Sequence, residues 1–184
     1  MASELGVQTI QHTNGTDAVT IDSSGIVTMA NTAIFSIFRN TTNLTSDGTV
    51  TAWEVPDVGI TASNVGGTFT HSSGLWTFPR TGVYIVRTTA RILNRSGDDI
   101  TSITIWGTAD NGSNYDRLAY VGGGSYSSSD DYSSNSIEAL VNISDTSTHK
   151  IEIRGESVGS SSIIYGNSNY NTTTVSFQWI APAQ

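Results

Sequence analysis

The chain has 184 residues, no cysteine, sixteen acidic against eight basic residues, a formal charge of -8 and a pI near 4.5. That is one domain plus a short appendage, long enough to bury a core without staples, and it excludes a disulfide framework. So acidic a surface repels phosphate backbones, which excludes nucleic acid as a partner, and no run approaches the ~20 apolar residues of a membrane-spanning helix, so no membrane insertion is expected.

β-Branched and aromatic residues stand where a helical protein would carry Leu, Ala, Glu and Lys, so the expected fold class is all-β. Met1 to Glu4 lacks the basic and apolar segments of a secretion signal, and the expectation is synthesis and release inside the encoding cell. Two short alternating runs, Val7 to Ile10 and Ala18 to Ile21, are separated by the turn pair Asn14-Gly15, and a third, Ile26 to Met29, follows Ser24-Gly25. Strands this short hold only against a partner or copies of themselves. Residues 1–32 are therefore expected to form a docking or trimerising arm, and residues 33–184 a single globular domain.

That domain opens with Ala33 to Arg39, where Ile34, Ser36 and Phe38 face one way and Ala33, Phe35 and Ile37 the other. A strand apolar on both faces lies between two layers, either two sheets or a sheet and a neighbouring subunit. Val50 to Val55 carries Trp53 and stops at Pro56, which cannot donate to a central ladder. Gly67 to Leu93 contains two short aromatic strands, a turn with Pro79 and Gly82, and the longest alternating run. Tyr84, Val86, Thr88, Ala90 and Ile92 alternate with Ile85, Arg87, Thr89 and Arg91, so the Tyr84 set is expected inside and the arginines outside. Tyr84 is expected to anchor the core, with a partner for its hydroxyl.

Further strands are expected at Ile100 to Thr108, Arg117 to Val121, Ser136 to Ile143, Thr148 to Arg154 and Thr174 to Ile180. The last of these sets Val175, Phe177 and Trp179 on one side. The count is ten, at the even spacing of a double-sheet jelly-roll sandwich. Phe35, Phe38, Tyr84, Phe177 and Trp179 are the candidates for core or subunit contact. Two stretches, Gly122 to Asn135 and Gly155 to Asn171, are nearly all Gly, Ser, Asn, Asp and Tyr. Antibody binding loops use that composition, because tyrosine gives rigid contact area while the small polar residues adapt; a flexible, solvated linker has it too. Tyr126, Tyr132, Tyr165 and Tyr170 are the receptor-binding candidates, able to stack on sugar rings or on an outer-membrane protein.

No catalytic constellation is evident. His12, His71 and His149 lack paired-ligand spacing, and Ser125 lacks a nucleophile elbow. His149 and Glu152, at odd separation on a strand, face opposite sides. The acidic turns at Asp98-Asp99, Asp130-Asp131 and Asp110, Asn114 and Asp116 offer oxygens of the kind calcium takes, without a closing Glu. The expectation is a non-enzymatic protein with no resident metal and no cofactor. Sequons such as those at Asn40, Asn94 and Asn142 follow from a chain rich in Ser, Thr and Asn and carry no weight.

Val58, Asn64, Phe69, Trp76, Gly82, Tyr84, Val86 and Thr88 fall at the intervals of the complement globular-head signature, and Asn64, Phe69, Gly82 and Tyr84 match it directly. Ala33 to Arg39 and Thr174 to Ile180 resemble that family's first and last strands. The family prefers aromatics where this chain has Val58, Val86 and Thr88, and phenylalanine where it has Trp76. The resemblance implies a homotrimeric jelly roll like tumour necrosis factor. Asp17 to Gly25 (DAVTIDSSG) also resembles a phrase of bacteriophage fibre and spike proteins, where it precedes a globular tip. Together these imply a bacteriophage fibre or spike on the virion surface, docked through residues 1–32, whose head meets a host surface receptor, a carbohydrate among the candidates. A capsid decoration or head fibre is the near alternative. A secreted complement-like module and a polysaccharide-degrading spike are the distant ones; the first calls for a signal or collagen-like repeat and the second for a long β-helical repeat.

Overall fold

A computed structural model describes residues 9–11, 17–21, 23–24, 27–29, 34–56, 65–95, 100–123 and 131–184. The chain divides into two compact units, residues 1–33 and 34–184. The first unit contains β1 (Thr9–Gln11), β2 (Asp17–Ile21) and β3 (Val27–Met29) in an antiparallel meander. Thr9 pairs with Thr20, Ile10 with Val19, and Val19 in turn with Met29. The Asn14-Gly15 turn expected between the first two strands lies outside the described residues.

The second unit carries, in chain order, β4 (Phe35–Asn40), β5 (Gly48–Thr49), β6 (Trp53–Glu54), β7 (Thr70–Ser72), β8 (Leu75–Thr77), β9 (Gly82–Asn94), β10 (Thr101–Thr108), β11 (Asp116–Gly123), β12 (Asp131–Ile143), β13 (Lys150–Glu156), β14 (Ile163–Ile164) and β15 (Thr173–Ala181). They form two antiparallel six-stranded sheets. One runs β12-β9-β15-β4-β6 with β14 beside β9; the other runs β11-β10-β13-β8-β7 with β5 beside β13. This is the double-sheet jelly roll, all-β and without a helix among the described residues. Each of the ten expected strands is present, and the two-residue β5 and β14 add to them. Of the complement-head positions, Val58 and Asn64 lie outside the described residues, as does Ala33.

Alternation dictates the layering. On β9, Tyr84, Val86, Thr88, Ala90 and Ile92 have no exposed surface, while Arg87 and Arg91 are exposed. The opposing sheet supplies Trp76, Ile103, Ile105, Ile151 and Ile153, also sealed from solvent. Phe38, Tyr84 and Phe177 belong to this core, Trp179 is half-buried against it, and Phe35 lies 37% exposed on the opposite face of β4. The Tyr84 hydroxyl donates to the Arg80 carbonyl oxygen at 2.8 Å, four residues back across the turn. Burial pushes the phenol up from its ordinary value, with Arg80 opposing, so that donor stays protonated at neutral pH.

The turn into β9 needs a residue without a side chain. Gly82 has φ of +154°, and a Cβ there would run into the Trp179 indole and come within 2.9 Å of the Ala181 carbonyl oxygen. Gly82→Ala is therefore expected to destabilise the head by about 1–3 kcal/mol, the usual cost of overpacking. Urea denaturation reads it as a lower midpoint at constant slope.

The largest departure from expectation is β12. The strand begins at Asp131 rather than Ser136 and pairs with all of β9 without a slip, from Asp131 opposite Asn94 to Ile143 opposite Gly82. Residues 131–135 are therefore ladder and not loop, as are Gly122 and Gly123 on β11. Thirteen consecutive pairings to a rigid central strand outweigh the weak strand preference of Ser and Asn.

Candidate functional site

The β9–β12 ladder fixes what stands on the outer face of its sheet. Directly opposite residues share a face, so Ile85, Arg87, Thr89 and Arg91 stand beside Leu140, Glu138, Ser136 and Ser134. Arg87 meets an acid: its guanidinium pairs with Glu138 at 2.7 Å, both side chains more than half exposed. Arg91, four residues on, meets only a serine.

Two tyrosines converge on Arg91. Tyr132 stands one outward position beyond Ser134 on β12, 57% exposed. Tyr165 directly follows β14, and its N–H donates to the Arg91 carbonyl oxygen at 2.9 Å. The Arg91 N–H in turn donates to the Thr172 carbonyl oxygen at 3.0 Å, and the Thr172 hydroxyl to that of Tyr165 at 3.1 Å. Backbone pairing thus clamps the loop from 165 to 172 onto β9. The tyrosine rings stack 6.2 Å apart at an interplanar angle of 22°, and the Arg91 guanidinium lies 4.8 Å from the Tyr132 ring centre and 5.4 Å from that of Tyr165. Such contacts are worth about 0.5–1 kcal/mol at exposed sites. Burial, followed by the hydrogen bond with Tyr132, raises the Tyr165 phenol above its ordinary range, against the opposing charges of Arg91 and Arg95.

Of the four tyrosines expected to bind, Tyr132 and Tyr165 are thus brought together. Tyr170 is 58% exposed on the same loop, its N–H held by the Asn167 side chain at 3.2 Å, with no ring contact among the described residues. Tyr126 lies outside the described residues. The sequence reading missed Arg91 as a member of the site. No local signal marks it, because the β9–β12 register alone sets Ser134 opposite Arg91 and Glu138 opposite Arg87.

A second cluster of cations and rings covers the outer face of the other sheet. Arg154 lies 4.8 Å from the Trp106 ring and 4.7 Å from that of Tyr115, and Arg117 lies 5.2 Å from Trp106. Here each guanidinium has an acid: Arg117 pairs with Glu156 at 3.2 Å and Arg154 with Glu152, while the Trp106 indole donates to Glu156 at 2.7 Å. Glu152, Arg154 and Glu156 alternate in charge along β13, so each of these arginines has a glutamate beside it.

The turn of Asp110, Asn114 and Asp116, whose oxygens are of the kind calcium takes, is organised around one carboxylate. Asp110 accepts from the Thr108 hydroxyl at 2.7 Å and from the N–H groups of Asn114 and Ser113 at 2.9 and 3.0 Å. Asn114 foremost, then Thr108, lowers its pKa to about 2 from an ordinary 3.8. A lowered carboxyl pKa stabilises the fold above the unfolded value, so this contribution is expected in full above about pH 4 and to vanish as pH falls through about 2. Carboxyl chemical shifts titrated by NMR would check it; a midpoint near 3.8 would refute the turn geometry. Among the described residues no three acidic or histidine side chains gather as metal ligands, and Asp98, Asp99 and Asp130 lie outside those residues.

No protein-family model matches the chain, and no curated protein matches its sequence. Solved structures do match its fold. Eiger TNF from S. frugiperda aligns with a TM-score of 0.59 at 17% identity, over 83% of this chain and 95% of that one. Murine APRIL at pH 5.0 aligns with a TM-score of 0.58 at 9% identity, over 80% and 99%. The fold is therefore a tumour-necrosis-factor-like jelly roll.

Proposed function

We propose that this chain is a non-enzymatic, homotrimeric attachment protein of a bacteriophage virion, its jelly-roll head meeting the host surface and residues 1–32 docking it on the particle. The observation that carries the attachment reading is the Tyr132–Tyr165 pair beside Arg91. It joins an exposed ring to a half-buried one, held in place by two strands and a clamped loop, the kind of rigid platform that recognises sugars and proteins at small entropic cost. The phage setting is supported by the resemblance of Asp17 to Gly25 to fibre and spike chains and by its place ahead of a globular head.

Trimerisation is supported by one end of the outer face of the β12-β9-β15-β4 sheet, at Ile85, six positions along β9 from Arg91. Register aligns Leu140, Ile85, Gln178 and Phe35 in one row across four strands, with Leu140 68% and Phe35 37% exposed. Ile180 adds further exposed apolar area. Beside the row, a groove of about 250 Å³ opens between Leu118 of β11 and Leu140 of β12. Weak contacts from three heads then add to firm attachment.

Native mass spectrometry of the full chain is expected to show a trimer, immunogold microscopy is expected to label purified virions, and the protein is expected to bind host envelopes without releasing reducing sugar. A monomer, unlabelled particles or sustained sugar release would each overturn the corresponding part. Label on the capsid instead of the tail would select the decoration or head-fibre variant of the same reading.

A further inference from the structure

We infer that the Arg91–Tyr132–Tyr165 cluster is a subsite for a carboxylate-bearing sugar, an acidic unit of a surface polysaccharide or glycan. The inference rests on the attachment reading above and adds the ligand's chemistry.

The chain has seven arginines and one lysine. Arg39, Arg87, Arg117 and Arg154 each pair with a glutamate. Lys150 donates to the Thr77 hydroxyl at 3.0 Å and the Thr146 carbonyl oxygen at 2.6 Å. Arg91 differs. Among the described residues its guanidinium makes ring contacts alone, with no carboxylate and no side-chain hydrogen bond. Stacking uses the face of a guanidinium, whereas its five N–H donors lie in the plane and match a carboxylate two at a time. An exposed arginine opposite a serine, in a protein of net charge -8, is therefore a local cation with its donors unspent.

The neighbours specify the rest of the ligand. The two phenol rings present flat apolar faces and hydroxyls, which suits the face and rim of a sugar ring. Arg95 lies close enough to act on Tyr165, its Nε donating to the Ser161 carbonyl oxygen at 3.1 Å. The net negative charge of the chain disfavours dense polyanions such as polyphosphate, and the Arg91 guanidinium balances one carboxylate.

Biolayer interferometry of the full chain against immobilised saccharides tests this. The probes are a polyuronate, the same polymer with its carboxyls reduced to alcohols, a sialylated oligosaccharide, a phosphorylated mannan and neutral dextran. Binding is expected to the polyuronate or the sialylated probe, which distinguishes a uronic from a nonulosonic acid, and to weaken at least about 10-fold on carboxyl reduction. Arg91→Gln is expected to lose about the same factor, and Tyr132→Ala to weaken binding to both polymer forms. Arg87→Gln, on the same strand face but already partnered, serves as the control and is expected to leave binding unchanged. Circular dichroism melts confirm that the variants fold.

Equal binding to the reduced polymer, preference for the phosphorylated mannan, or an unaffected Arg91→Gln would overturn the inference. If the protein attaches to host envelopes but none of these saccharides competes, the ligand class is wrong while attachment stands. If it binds no envelope at all, the attachment reading fails with it.

Discussion

Phe177→Ala is expected to destabilise the head by about 3–5 kcal/mol, the range for deleting a fully enclosed phenylalanine. Phe177 has no exposed surface and stands where both sheets contribute aromatic rings. It stacks on Phe69 at 4.6 Å between centroids and meets Trp76 at 5.0 Å, Phe78 at 5.6 Å and Phe38 at 6.3 Å. Removing it would leave a void that four stiff rings, two on β4 and β8 and two in the segments flanking β7 and β8, cannot close together, so both the transfer loss and the cavity cost remain. A Phe177→Leu variant retains most of the volume and is expected to lose markedly less. Denaturant midpoints measure both. Equal, small losses for the two would mean that the last strand is not the centre of the core. Trp179→Ala is expected to cost less than Phe177→Ala, since its ring is half-buried and faced by Arg80 at 4.1 Å.

The second large effect is expected on assembly. Leu140 protrudes near the end of β12 with most of its surface in solvent, at the end of the row that runs through Ile85 to Phe35. If three copies close over that row, Leu140→Asp places an unpaired carboxylate in a dry contact, a penalty of several kcal/mol. Sedimentation is then expected to show single subunits at concentrations where the parent is trimeric, a loss of association of at least about 100-fold. The isolated head is expected to stay folded, because Leu140 touches the solvent side of its own sheet and not the core. A Leu140→Asp protein of unchanged mass would place the subunit contact elsewhere.

Much of the sandwich was legible from alternation. The inward set Tyr84, Val86, Thr88, Ala90 and Ile92 and the final Val175 and Phe177 lie where period-two reading puts them, since burial of one face of a strand is imposed by local geometry. The start of β12 was not legible. Asp131 to Asn135 has the composition of a loop, and only its partner β9, some forty positions earlier in the chain, makes it a strand. The site is hidden for the same reason: Tyr132 sits in a stretch of loop composition, yet it is a strand residue with the Arg91 guanidinium over its ring.

Composition and periodicity were enough to specify an all-β chain, its inward-facing residues and the aromatic heart of its core, because these depend on each residue's own propensity and on which side of a strand it occupies. That Arg91 stands opposite a serine, which tyrosines meet and which apolar side chains form a row are properties of register between strands distant in sequence. Glu138 lands beside Arg87 and Ser134 beside Arg91 because the β9–β12 ladder runs without a slip. A shift of one residue would have turned every one of those side chains to the opposite face. No local pattern carries that information, because cross-strand pairing is decided by the packing of the whole sandwich.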